Sequence, residues 1–166
     1  NVWRAENTQK GRFREFLQCD ADIVGSSSPL SDAEVITVAV KSLEKLGIKD
    51  LKILINDRSI FDSIPKSAIT SIDKLKKIGK EKVLKELVDK GISKGQVASI
   101  LSSIEGSKPT ENLKKVFSYL QQVGLEKSRF EFSPTLARGL DYYTGMIFEV
   151  EIDGYSAGSV AGGGRY

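Results

Sequence analysis

Residues 136–145, Leu-Ala-Arg-Gly-Leu-Asp-Tyr-Tyr-Thr-Gly, crowd a fixed cation, a carboxylate and two phenols into one short run with two glycines. Arg138 offers a planar fork that matches a carboxylate or a phosphate. Tyr142 and Tyr143 each offer an apolar wall with a polar tip. Together they suit the lining of a small polar-ligand pocket; the plainer alternative is a polar turn leading into a strand. A second constellation lies near the start of the chain, where Arg12, Arg14, Phe16, Gln18, Asp20 and Asp22 recur at every other position. Period two puts them on one face of a strand, and Arg4 and Glu6 can join that face across a hairpin. Three guanidiniums on one surface repel unless an anion sits among them, and Phe16 beside them could stack on a base. Guanidiniums plus an aromatic platform fit a nucleotide lying flat with its phosphates held. A solvated outer face of an antiparallel sheet would also carry mixed charge.

These residues need elements to hold them. Residues 1–25 read as a β-hairpin, with a strand over 2–6, a polar turn over 7–11 and a long second strand over 12–24. The odd positions of that second strand (Phe13, Leu17, Cys19, Ala21, Ile23) are apolar except Glu15 and form the opposite face. Ser31-Asp-Ala-Glu34 has the form of a capping box and predicts a helix to about Leu46, stopped by Gly47. Leu51 to Asn56 is a continuous apolar strand. From Pro65 the texture changes to three or four short amphipathic helices, punctuated by Gly79, Gly91, Gly106 and Gly124. Their apolar stripes are Val83, Leu84, Leu87 and Val88; Val97, Ile100, Leu101 and Ile104; and Leu113, Val116, Phe117 and Leu120. Strand texture returns at 129–132 and 146–152, with a turn at Asp153-Gly154. The fold class expected is α+β, a sheet interrupted by a helical insertion, divided at 1–64, 65–128 and 129–166.

Composition narrows the chemistry. The chain has 166 residues, 40% hydrophobic and 28% charged, as in globular proteins, and no run has the length of a membrane span. It contains no histidine and one cysteine, Cys19. That removes the commonest general base, the commonest transition-metal ligand, disulfides and a cysteine zinc site. Asp20 and Asp22 alone are weak grounds for a metal site. The net charge of +3 is unevenly placed: residues 65–128 hold 13 lysines and no arginine against 7 acidic residues. All seven arginines lie outside that stretch, so a diffuse electrostatic surface is separated from directed anion recognition. The run Gly162-Gly-Gly-Arg165 lacks the spacing of a phosphate loop and fits close backbone packing or a bulge better.

Arg4-x-Glu6, then Gln9-Lys-Gly-Arg-Phe-Arg-Glu-Phe16, then Gln18-x-Asp-x-Asp22 resemble the second motif of class II histidyl-tRNA synthetases. Arg138-Gly-Leu-Asp-Tyr-Tyr143, Phe148-Glu149 and Gly163-Gly-Arg-Tyr166 resemble the histidine-specific motif of the same family. The two motifs bracket the chain, and the helical middle falls where that family carries its insertion domain. The resemblance implies part of a class II antiparallel sheet with flanking helices and a small helical subdomain. It also implies ATP-dependent activation of histidine to histidyl-adenylate, followed by transfer to the 3′ end of histidine tRNA.

By the same resemblance, Arg4 would hold the α-phosphate and, with Arg138, form the catalytic pair. Glu6 would lie near adenine, Phe16 would stack on it, and Arg12 and Arg14 would complete the ATP-binding set. Gln18, Asp22, Arg138, Tyr142, Tyr143 and Tyr166 would bind histidine, with Asp22 and Tyr143 at the imidazole. Mg2+ would travel with the ATP phosphates, and no protein metal site is implied. The family implies a homodimer for the full-length parent, a cytoplasmic or organellar location and no membrane.

Asn7-Thr8 stands where the family more often has Arg-Pro, which bears on the loop tip and not on the reaction. The dimer-forming first motif and the ATP-binding third motif do not occur in this stretch, so the fragment alone is expected not to aminoacylate. The rival is a non-catalytic relative, a regulatory subunit of histidine biosynthesis or a tRNA-sensing domain. Against it, Arg4, Arg12, Gln18, Asp22, Arg138 and Tyr143 are all present together. A plain RNA-binding module, argued from the lysine-rich middle, is the third reading.

Overall fold

The apolar run Leu51–Asp57 forms strand β3, which is buried along nearly its whole length and lies at the centre of a four-stranded sheet. The computed structural model describes residues 1–166 except 6, 9, 139–141 and 156–157. Before β3 come β1 (Val2–Trp3), β2 (Glu15–Phe16) and helix α1 (Pro29–Lys45). After it come α2 (Lys66–Ile72), α3 (Leu75–Ile78), α4 (Lys80–Asp89), α5 (Lys94–Glu105) and α6 (Glu111–Gln122). The strands β4 (Phe130–Phe132), β5 (Met146–Ile152) and β6 (Ala161–Gly164) close the chain. The sheet order is β4-β3-β5-β6.

The sheet is mixed, which corrects the expectation of an antiparallel one. β5 runs antiparallel to both β3 and β6, pairing Ile55 with Phe148 and Phe148 with Gly163. β4 runs parallel to β3, with Ile53 opposite Phe130. A parallel neighbour requires a long crossover, and the helices between β3 and β4 supply it.

Two hydrophobic clusters flank the sheet and the loops around it. In one, α1 packs Ala33, Ile36 and Val40 against Leu113, Val116 and Leu120 of α6, over β3 and β5. In the other, Phe61, Ala68, Ile72, Val83, Leu87, Val97, Leu101 and Ile104 form a core among α2, α4 and α5. The three expected stripes are therefore the buried faces, each fully buried Leu or Ile stabilising by about 1.5–3 kcal/mol. Helix α6, inside the lysine-rich middle, shares its core with α1, whereas α2, α4 and α5 pack with one another. Helices α2 and α3 and strand β6 were not legible from periodicity, because each is too short to complete a pattern.

Helix α1 begins earlier than the Ser31 capping box. Ser28 is the N-cap and accepts from the Leu30 N–H at 3.2 Å, with Pro29 in the first turn. Proline's fixed φ and missing N–H suit that position, so the start moves to it. At the other end Gly47, at φ +86°, lies just beyond Leu46, as expected.

The hairpin departs most from expectation. Its second strand is two residues long, not the thirteen of 12–24. The register pairs Val2 with Phe16 and Trp3 with Glu15, and among the described residues no ladder continues from Leu17 to Val24. A strand without a ladder partner keeps an extended but irregular course. The odd face is also uncovered among the described residues: Trp3 is 69%, Phe13 65% and Leu17 77% exposed. Among the described residues no helix is long and apolar enough to cross a membrane.

Candidate active site

Arg138 sits where three separate pieces of chain meet. Its backbone adopts φ +50°, the only non-glycine residue in the left-handed region among the described residues. That conformation costs about 1–2 kcal/mol for a residue with a Cβ. The Asp73 carboxylate, at the end of α2, accepts from both the Ala137 N–H (3.1 Å) and the Arg138 N–H (3.0 Å). On the other side Arg58 donates through Nη1 to the Ala137 carbonyl (2.9 Å) and the Arg138 carbonyl (3.3 Å). Hydrogen bonds to charged groups contribute about 1.5–3 kcal/mol each, enough together to outweigh the strain. Asn56, fully buried at the end of β3, donates to the Pro134 and Leu136 carbonyls at 3.1 and 2.8 Å. Its neighbour Asp57 takes Ser59 and Thr110, the N-cap of α6. The triplet Asn56-Asp57-Arg58 thus anchors the 134–138 segment and the start of α6. Sequence reasoning passed over it, although three polar residues closing an apolar strand were the available signal.

The Arg138 guanidinium lies across the glycine strand β6. Its Nη1 donates to the Phe148 carbonyl at 2.9 Å and stands 3.9 Å from the Glu149 carboxylate. Its Cζ is 5.6 Å from the centre of the Tyr143 ring. Its Nε is buried with no hydrogen-bond partner among the described residues. The glycines explain the approach. A Cβ on Gly162 would fall 1.7 Å from Arg138 Nη1, and one on Gly163 would fall 2.9 Å from the Phe148 ring. The close-packing reading of this run holds.

Three tyrosines lie in contact with one another beside Arg138. Tyr143 is 8% exposed and stacks at a tilt on Tyr142, with ring centres 4.5 Å apart. Burial, reinforced by the Tyr142 hydroxyl, pushes the Tyr143 phenol up to about 12, so it stays a neutral hydrogen-bonding group. Tyr142 meets Tyr166 edge-on at 6.4 Å. The Tyr166 hydroxyl donates to Asp22 Oδ1 at 3.2 Å, and the charge of that carboxylate raises the phenol's pKa. Arg165 reaches back to the Ser26 and Ser28 carbonyls (3.1 and 2.9 Å) and to Asp32 (2.9 Å), tying β6 to the start of α1.

On the hairpin, Arg4 lies over the Phe16 ring at 4.8 Å and donates to Gln18 Oε1 at 2.8 Å. Gln18 in turn donates to Asp20 at 2.8 Å. The even-numbered face therefore does assemble, even though the strand does not extend. A Cβ on Gly158 would lie 3.4 Å from Arg12 Nη2, which places the Arg12 side chain beside the loop before β6. The Arg14 carbonyl accepts from the Arg4 N–H at 2.8 Å, and its side chain is exposed. Glu6 lies outside the described residues. The structure thus brings together Arg4, Phe16 and Gln18 as one group and Arg138, Tyr142 and Tyr143 as another. Tyr166 joins Asp22 to the second group.

Glu149, in the Phe148-Glu149 pair, also faces the Arg138 guanidinium. Burial raises its carboxyl pKa above the ordinary range, against the lowering effect of Arg138. The folded chain then holds a proton that the unfolded chain has released, so this group's contribution to stability falls as pH rises through the folded value. Glu149→Gln, which stays neutral, should gain melting temperature relative to the parent chain between pH 4 and pH 7. A difference between the two that does not change with pH would contradict this.

Comparisons with known proteins agree with this architecture. The family model described as Histidyl-tRNA synthetase matches residues 1–108 and 72–166. The histidine–tRNA ligase of Cytophaga hutchinsonii is 42% identical over 195 aligned positions, covering 99% of this chain and 43% of the relative. The crystal structure of histidyl-tRNA synthetase from Nostoc sp. PCC 7120 superposes with a TM-score of 0.73 at 29% identity, covering 85% of this chain and 41% of that one. A Bacillus halodurans structure, titled an ATP phosphoribosyltransferase regulatory subunit/histidyl-tRNA synthetase, shares the fold with a TM-score of 0.63 at 20% identity. The chain spans less than half the length of the curated relatives it matches. With the class II fold, the glycine-strand seat of Arg138 and a family match along its whole length, this chain belongs to the histidyl-tRNA synthetase family.

Proposed function

We propose that the chain is the part of a histidine–tRNA ligase that binds histidine and the α-phosphate of ATP. The observation that carries this reading is the convergence of Arg138, Tyr143 and Glu149 on β6, with Asp22 and Tyr166 bonded beside them. A guanidinium, phenols and a carboxylate around one cleft suit an amino acid that has a carboxylate at one end and an imidazole at the other. Histidine's carboxylate attacks the α-phosphorus in line, forming the acyl–phosphate bond as the bond to pyrophosphate breaks. No protein nucleophile is needed; the barrier falls through placement and charge neutralisation. Arg4 and Arg138 supply that charge from the two groups of the site. Phe16 stacks on adenine with Glu6 beside the base, and Arg12 and Arg14 hold the outer phosphates. Gln18 takes the substrate's amino group, Asp22 and Tyr143 bond the imidazole, and Tyr142 and Tyr166 wall the pocket. Mg2+ would accompany the ATP phosphates and help neutralise their charge; the guanidiniums and phenols named here would not hold it, since they are not ligands for a hard cation.

The full-length parent would be a homodimer that charges histidine tRNA, with the helical segment 65–128 as an insertion offering its lysines to the tRNA. The test is ATP–pyrophosphate exchange by the full-length parent with each amino acid in turn. Histidine alone should support it. Absence of exchange with histidine would favour the rival regulatory-subunit reading, for which the Bacillus halodurans fold match is the present support.

A further inference from the structure

We infer that Asp73, together with Arg58, is a positioning residue for Arg138, so that the helical segment sets the geometry of the reacting site. This rests on the reading of Arg138 given above. Asp73 ends α2 and belongs to the helical segment, whereas Arg138 lies 65 residues later in the chain. One oxygen, Oδ1, accepts from two successive backbone N–H groups, and Arg58 holds the carbonyls of the same two residues from the opposite side. The peptide that carries the only left-handed non-glycine residue among those described is thereby gripped on its donor and acceptor edges alike.

The packing shows why this segment can transmit position. Leu136, Ala137 and Arg138 face three different surroundings in succession. Leu136 is buried with Leu54, Tyr143 and Ile147 of the sheet side. Ala137 is buried in the cluster of α2, α4 and α5. Arg138 turns its guanidinium to β6 and the Phe148 carbonyl. Helix α2 is itself tied to α4, because Glu86 accepts from Ser71 (2.9 Å) and Lys74 (2.8 Å) while Lys90 donates to Ser71 (2.7 Å). A shift of the helical segment would therefore move the acceptor that holds the Arg138 backbone, and the direction in which its fork points.

The experiment uses the full-length parent with Asp73→Ala and Asp73→Asn. Asparagine keeps an acceptor oxygen in place, and alanine removes it. Histidine-dependent exchange should fall at least 10-fold in kcat for Asp73→Ala, on the scale set by misplacing a reacting group. It should recover to within about 3-fold in Asp73→Asn. In an Arg138→Ala background Asp73→Ala should add little further loss, because residues acting through one another are not additive. Amide hydrogen exchange of the segment holding residues 137 and 138 should accelerate in Asp73→Ala and stay protected in Asp73→Asn. Unchanged activity and protection in Asp73→Ala would overturn the inference, as would an equal further loss in the Arg138→Ala background. A parent without histidine-dependent exchange would instead sink the synthetase reading, and amide exchange would still decide the clasp.

Discussion

Arg138→Ala in the full-length parent should lower kcat for histidine-dependent pyrophosphate exchange by about 10²–10³-fold, the effect of deleting one electrostatic donor from a preorganised site. The loss should fall on kcat more than on the KM for ATP, because the charge at the α-phosphate grows only as the acyl–phosphate bond forms. The fold should survive. Among the described residues the Arg138 side chain makes one hydrogen bond, to the Phe148 carbonyl, and is 17% exposed, and its loss also removes a buried Nε that has no partner there. Arg138→Lys tests the fork itself, since it restores a charge but neither the planar geometry nor the second donor edge. Lysine should recover only part of the rate. Full activity in either variant would remove Arg138 from the reacting site.

Gly162→Ala should come close to the same loss without replacing any charged residue. Its new Cβ would fall 1.7 Å from Arg138 Nη1, 2.9 Å from Cζ and 3.0 Å from the Phe148 carbonyl oxygen. The guanidinium must leave its seat, and because it is the far end of a flexible chain it can do so without unfolding the sheet. Overpacking of this kind costs about 1–3 kcal/mol of stability. The activity should fall much further than that loss of stability accounts for, and adding Gly162→Ala to Arg138→Ala should change little. Gly164→Ala is the contrast. Its Cβ would meet Ile147, Tyr143 and the Met146 carbonyl, all at 2.8 Å, so strain lands on packed groups and backbone. That variant should lose melting temperature first. Thermal melts beside exchange kinetics separate the two cases, and a fully active Gly162→Ala would show that the guanidinium does not need this seat.

Much of the local structure was legible because it is periodic. The stripes Val83/Leu87, Val97/Leu101 and Leu113/Leu120 repeat at helical spacing and are buried. β5 occupies the span read from its composition, and β3 extends one residue beyond its own, through Asp57. The second hairpin strand failed for an equally physical reason: alternation describes which way side chains would point, while a strand exists only where another backbone pairs with it. β6 failed in the opposite sense, since Ala161-Gly-Gly-Gly164 has no strand propensity of its own and pairs because β5 lies beside it.

Residue types and their spacing were enough for the chemistry on offer and for the family: which guanidiniums, phenols and carboxylates exist, and that these 166 residues include no histidine side chain and a single cysteine. Those properties need no fold. How Arg138 is held does need one. Its left-handed backbone depends on Asp73 and Arg58, 65 and 80 residues away in the chain, and its seat depends on the register that brings Gly162 opposite Glu149. Contacts made by chain segments so far apart leave no local period to read, because each residue's own neighbours in sequence say nothing about which distant carboxylate will reach it.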